Sequence, residues 1–168
     1  MPIVVFRLAA AGSLAASTYY TDYQDFIESK VNLGRDPETG VTLFQSQNIA
    51  EARIYGWELS LQARLDEWLP RLEGWSTRLS AAWSKGDDLV RDEPLNSVDP
   101  PSAVLAFGYE TGSGRWGGDL VTTAVSPKHA VDDSREDLYG PDGYVTVDQL
   151  ARYDFGNGLH LNAGVFYL

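Results

Sequence analysis

The sequence predicts an all-β protein: an antiparallel, up-and-down transmembrane β-barrel segment of about seven strands, which leaves the barrel incomplete. Three observations predict it. Apolar and polar residues alternate with period two over runs of about nine residues or more, longer than the roughly 5 or 6 residues of a typical soluble strand. The connections alternate as well: "LPRLEG", "TGSG" and "GNG" are short and rich in Gly or Pro, whereas "VNLGRDPETGVTLFQSQN", "GDDLVRDEPLNSVDPP" and "PKHAVDDSREDLYGPDG" are long and acidic. Outer-membrane barrels have this asymmetry of tight periplasmic turns and long extracellular loops. Finally, the polar faces carry Glu58, Arg64, Arg78, Asp119, Asp148 and Arg152. A protein core rarely accepts so many charges, but a wet lumen does.

In chain order, the alternation predicts strands at 17–29, 49–67, 74–85, 102–111, 115–126, 143–155 and 159–167. The second shows the pattern most fully, with Tyr55, Trp57, Leu59, Leu61, Ala63 and Leu65 opposite Gly56, Glu58, Ser60, Gln62 and Arg64. At about 3.3 Å per residue and a tilt of about 40°, Tyr55 to Leu65 covers on the order of 27 Å, enough to cross the apolar band of an outer membrane. The third places Trp75, Thr77, Leu79, Ala81 and Trp83 against Ser76, Arg78, Ser80, Ala82 and Ser84, with an aromatic at each end of the apolar side. The fourth opposes Ala103, Leu105, Phe107 and Tyr109 to Val104, Ala106, Gly108 and Glu110. "TGSGRWGG" reads as a hairpin turn leading into the fifth. In the sixth, Gln149 falls beside Val145, Val147, Ala151 and Tyr153 on the lipid side, where a lone amide is costly. The last sets Leu159, Leu161, Ala163, Val165 and Tyr167 against His160, Asn162, Gly164 and Phe166.

Composition narrows the function classes. A net charge of -11 argues against nucleic acid as a partner, since Lys and Arg must neutralise phosphates. With no cysteine, neither a disulfide framework nor a thiolate metal site is available. No run approaches the roughly 18 to 20 apolar residues of a spanning helix, a limit that does not touch strands. "MPIVVFRLAAAGSLAAS" has a weakly signal-like apolar run, broken at Arg7.

Several segments resemble TonB-dependent outer-membrane receptors, in particular the haem, haemoglobin and transferrin receptor branch. "YYTDYQDFIES" is similar to a family strand entering a long outer loop, and "FQSQNIAEARIYGWELSLQ" to its barrel segment marked here by Asn48, Ala52, Ile54, Gly56 and Glu58. "PLNSVDPPSAVLAFGYE", "RWGGDLVTTAV" and "YVTVDQLARYDFGNGLHLNAGVFYL" resemble later pieces in the same order. The resemblance implies residues 15–168 as a partial C-terminal barrel, residues 1–14 lying outside it as a spurious start or signal-like stretch. Since the family's plug and TonB box find no match, it also implies a truncated reading frame. It further implies an outer-membrane location, lipid contact, energy from the TonB system through the plug, and haem or a haem- or iron-carrying protein as the transported ligand. No cofactor is expected to belong to the chain itself. The family's haem-transfer histidines lie in parts not matched here, so none is carried over.

For chemistry, His129 in "SPKHAVDDSRED" is the candidate ligand contact, its alternative being a solvated loop histidine. His160 is expected to be a lumen hydrogen-bonding residue. The pairs Asp87 and Asp88, Asp92 and Glu93, Asp132 and Asp133, and Glu136 and Asp137 suit calcium or plain solvation, without EF-hand spacing. A glycosidase pair such as Glu58 with Asp119 is conceivable. With no nucleophile elbow or phosphate loop, no catalytic residue and no metal ligand is assigned, and the expectation is a protein that is not an enzyme. Trp57, Trp75, Trp83, Trp116 and Tyr144 lie near strand ends, as interfacial girdles require, the alternative being a stacking surface for sugars. The competing fold is a soluble all-β ligand-binding barrel or sandwich, which turns the apolar face inward.

Overall fold

The computed structural model describes residues 3–7, 11–131 and 140–167. Nine strands occur in them: β1 (Ile3–Arg7), β2 (Gly12–Arg35), β3 (Thr42–Arg64), β4 (Trp75–Asp88), β5 (Glu93–Pro94), β6 (Ser102–Glu110), β7 (Trp116–Val125), β8 (Tyr144–Asp154) and β9 (His160–Val165). All pairings are antiparallel, and neighbours in sequence are neighbours in space, in the order β1-β2-β3-β4-β6-β7-β8-β9 with the short β5 beside the end of β4. The result is one continuous meander, unclosed among the described residues, with β1 and β9 at its edges. One 3-10 turn, Pro70–Leu72, sits in the β3–β4 connection.

Each predicted strand is present, and β1 and β5 are additional. The largest correction concerns "VNLGRDPETGVTLFQSQN", expected as a long loop: β2 and β3 continue through it as a ladder reaching Arg35↔Thr42. Beyond the membrane neither face of a hairpin meets lipid, so Glu28, Lys30, Asn32, Gln45 and Gln47 show no apolar alternation although the backbone pairing persists. From Tyr20 to Arg35 the hairpin projects about 50 Å at 3.3 Å per residue. Its tip is held by Asp36, whose Oδ1 accepts from the amides of Glu38 at 2.8 Å and Thr39 at 2.9 Å, and these bonds hold the carboxyl below its ordinary pKa.

Register fixes which residues share a face. Leu14↔Leu61↔Leu79↔Leu105 forms an apolar row across β2, β3, β4 and β6, continued by Thr122 and Val147 on β7 and β8. Among the described residues no second layer covers it. Among the described residues a buried cluster, Ile49, Ala52 and Leu95 with Phe26, Ile54 and Val98 packed on it, lies at the loop end. Farther along the sheet, Leu120, Val145, Leu161 and Val165 are exposed at 45, 66, 57 and 53%. A soluble barrel or sandwich would bury this face. A membrane wall leaves it open to lipid.

Candidate functional site: wall, lumen face and outer cleft

Aromatic side chains bracket the apolar row. At the loop end Tyr20 stacks on Tyr55 at 6.1 Å between ring centroids, and Tyr55 meets Trp83 edge-on at 5.8 Å. At the turn end Trp75, Tyr109 and Trp116 follow one another at 5.1 and 5.2 Å; Tyr153 lies opposite Trp116 and against Phe155 at 4.8 Å. Trp75 and Trp83 are separated by about 26 Å along β4, or about 20 Å along the membrane normal at a 40° tilt, the scale of an outer-membrane apolar band between its girdles. Charge resumes just beyond the loop-end girdle, where Arg53 lies over Tyr20 at 5.1 Å and pairs with Asp22 at 2.8 Å, and Lys85 pairs with Asp87 at 3.0 Å. Trp57 lies opposite Trp83. Tyr144 departs from expectation, since it falls in the alternate set with Thr146, Asp148 and Arg152 on the other face. Gln149 keeps its place on the lipid side, where it lines a shallow depression with Trp75, Phe107, Trp116 and Gly118.

On the opposite face, two ion pairs each reach across an intervening strand. Arg78 on β4 donates to Asp119 on β7 at 2.7 Å, passing over Gly108 of β6. Arg152 on β8 pairs with Glu110 on β6, passing over Gly117 of β7. The glycines make this possible: a Cβ on Gly108 would lie 2.8 Å from Asp119 Oδ1, and one on Gly117 3.2 Å from the Arg152 guanidinium and 2.7 Å from the Tyr109 carbonyl oxygen. Gly117→Ala strikes fixed backbone, whereas Gly108→Ala strikes only side-chain ends. The first is expected to cost about 1–3 kcal/mol and the second less, an order that melting temperatures of the detergent-folded chain will check.

At the loop end, polar groups tie three connections together. Glu28, 3% exposed, accepts from the Ser97 hydroxyl at 2.8 Å and from the Lys30 amide at 2.9 Å. Asn96 Nδ2 donates to the Lys30 carbonyl at 3.0 Å, and Leu95 N to Gly86 O at 2.9 Å. From the next loop, Lys128 Nζ donates to the carbonyl oxygens of Asn96 at 2.5 Å and Val98 at 2.7 Å; burial holds this ammonium below its usual pKa. Between these loops and β4 opens a cleft of about 420 Å³, lined among others by Trp83, Leu95, Val98, Pro101, Pro127 and Lys128.

His129 lines the same cleft at an exposed position. His160 is exposed, with Nδ1 3.7 Å from Asp154 Oδ1, and makes no lumen hydrogen bond among the described residues. Asp87 is engaged by Lys85, and Asp88 caps a turn by accepting from the amides of Val90 and Arg91 at 2.9 and 3.1 Å. Glu93 belongs to β5, and Asp92 has a left-handed backbone, φ 58°. Asp132, Asp133, Glu136 and Asp137 lie outside the described residues. Among those described, no three acidic or imidazole groups converge as metal ligands. Glu58 accepts from Ser17 Oγ at 3.3 Å; it stands three strand spacings from Asp119, about 14 Å across the sheet, and is level with Val125 farther along β7, so the two lie well beyond the roughly 5–9.5 Å of a glycosidase pair. Sequence reasoning did not single out Lys128, Glu28, Asn96 or Ser97. Their partners lie from 30 to 69 residues away, and no local pattern marks them.

The TonB dependent receptor-like β-barrel family model matches residues 5–168. Among curated relatives, the "Probable hemoglobin and hemoglobin-haptoglobin-binding protein 1" of Haemophilus influenzae is 24% identical over 81% of this chain and 16% of its own length. The "Hemoglobin-haptoglobin utilization protein B" of Neisseria meningitidis is 28% identical over 93% of this chain and 22% of its own. This chain therefore spans about a fifth or less of these relatives. Among solved structures, the copper transporter OprC superposes with a TM-score of 0.74 at 24% identity, covering 94% of this chain and 23% of that one. The FrpB iron transporter from Neisseria meningitidis gives 0.63 at 12%, covering 95% and 25%; at these identities the likeness is one of fold. Girdles, wet inner face and family match agree: the chain belongs to the TonB-dependent receptor β-barrel family of the outer membrane.

Proposed function

We propose that this chain supplies wall and outer loops to a receptor that takes up haem, or iron drawn from a host carrier protein, with energy delivered by the TonB system. The observation that carries the reading is the run of relatives named for haemoglobin or haemoglobin–haptoglobin binding, which match most of the chain. The role is binding and transport rather than catalysis, in keeping with relatives named for haemoglobin binding or utilization and structural neighbours named as transporters. Haem is then cargo, and its protein carrier meets the projecting β2–β3 hairpin and the loops around the outer cleft.

A chimera tests this. Residues 15–168 replace the corresponding segment of a haemoglobin receptor in a host that requires haem and has no other haem receptor. Growth on haemoglobin is expected, and loss of it when the hairpin tip 33–43 is shortened. A chimera that inserts normally yet supports no growth on haemoglobin or free haem overturns the reading.

A further inference from the structure

Lys128 is placed unusually for a surface lysine. Its side chain is half-buried in the wall of the outer cleft, and two of its three N–H groups are taken by the carbonyl oxygens of Asn96 and Val98. Carbonyls solvate an ammonium without neutralising it. Among the described residues no carboxylate lies within 4.0 Å of Nζ, since Asp99 and Glu28 act only at longer range and the Glu28 oxygens are occupied by Ser97 and the Lys30 amide. Lys30 adds a second positive charge nearby, and His129 follows at the exposed rim. Ser84, Lys85, Asp99 and Ser126 also line the cleft, and the remainder of its wall is apolar, built by Trp83, Leu95, Val98 and the prolines at 100, 101 and 127. Its volume of about 420 Å³ falls within the roughly 300–1,000 Å³ of small-molecule sites. An ammonium with no carboxylate within 4.0 Å among the described residues, set in a largely apolar wall, is complementary to an apolar body that carries an acid.

We infer that this cleft is a binding subsite for an apolar acid of the porphyrin class, with one carboxylate on the Lys128 ammonium and the ring against Trp83 and the prolines. The inference rests on the haem-uptake reading for its ligand class and on the cleft for its geometry. A fatty acid shares the chemistry of an apolar body with a carboxylate, so the test separates the two.

The chain, folded in a non-ionic detergent, is titrated with metal-free protoporphyrin and with its dimethyl ester, which keeps the ring and loses both acids. The acid is expected to bind about tenfold more tightly than the ester, the worth of a charge-assisted contact. Lys128→Met is expected to remove that difference by weakening the acid alone, and Lys128→Arg to retain it. Pro101→Trp, which fills the cleft without touching the ammonium, is expected to abolish binding of both. Equal binding of acid and ester by the unaltered chain overturns the inference. So does equal weakening of both by Lys128→Met, which would leave Lys128 as a pin for the 95–98 loop only. Displacement of the porphyrin by an equimolar amount of laurate overturns it too, because the cleft then reads an acyl chain. Porphyrin binding that survives a chimera unable to grow on haemoglobin would remove the uptake reading and leave the subsite standing.

Discussion

Leu79→Arg is expected to lower the unfolding free energy of the lipid-inserted chain by about 2–4 kcal/mol, whereas Ser80→Arg, one residue along, changes it by about 0.5 kcal/mol or less. Leu79 lies midway between Trp75 and Trp83 on β4, and its register partners are Leu61 and Leu105. This is the middle of the apolar row, where an ionised guanidinium has neither water nor a carboxylate. Ser80 points to the other face between Ser60 and Val104, beside the ion-paired Arg78, and an added arginine there remains wet. Leu79→Phe separates the wall from a soluble core: lipid accommodates the larger ring, whereas a packed interior loses about 1–3 kcal/mol to overpacking. Urea unfolding from vesicles measures all three. Equal losses for Leu79→Arg and Ser80→Arg would mean that the two faces do not differ in solvent, and the assignment of lipid and lumen would fall.

What the sequence disclosed follows from the solvent each segment meets. Between the girdles one face sees lipid and the other water, so alternation is enforced residue by residue, and β4, β6 and β7 were legible almost to their ends. Outside the membrane that contrast vanishes. The β2–β3 hairpin from Val31 to Asn48 accordingly read as loop, and the two-residue β5 is too short to carry any period. The functional surface was legible only in part. His129 drew attention by residue type, but its neighbour Lys128, which does the structural work, looked like any loop lysine. Its significance comes from two carbonyl partners about thirty residues upstream and from burial, neither of which a linear pattern contains. Gly108 and Gly117 were equally silent, because their role is to leave room for Arg–carboxylate pairs formed by residues on the strands to either side.

Removing either anchor of the 95–98 segment is expected to free the outer loop without loosening the wall. Leu95 is 2% exposed, packs with Ile49 and Ala52, and has Cδ1 2.9 Å from where a Gly86 Cβ would stand. Leu95→Ala should therefore cost about 2–5 kcal/mol of local stability, which raises the open fraction of the loop by about thirtyfold or more. Glu28→Gln keeps the volume but replaces a carboxylate that accepts from the Ser97 hydroxyl, the Ser97 amide and the Lys30 amide by a group with one acceptor oxygen. Its cost is expected at about 1–3 kcal/mol. Because the two side chains hold the same four-residue stretch, the double variant should lose less than the sum, each single change having already released part of what the other holds. Hydrogen exchange reads this directly: the amides of Leu95 and Ser97, bonded to Gly86 O and Glu28 Oε2, should exchange faster in each variant, while those of the Leu79–Leu105 ladder keep their protection. Faster exchange in the ladder would mean that loop and wall open as one cooperative unit. The cleft could then not change shape independently of the barrel, and a ligand would have to enter it as it stands.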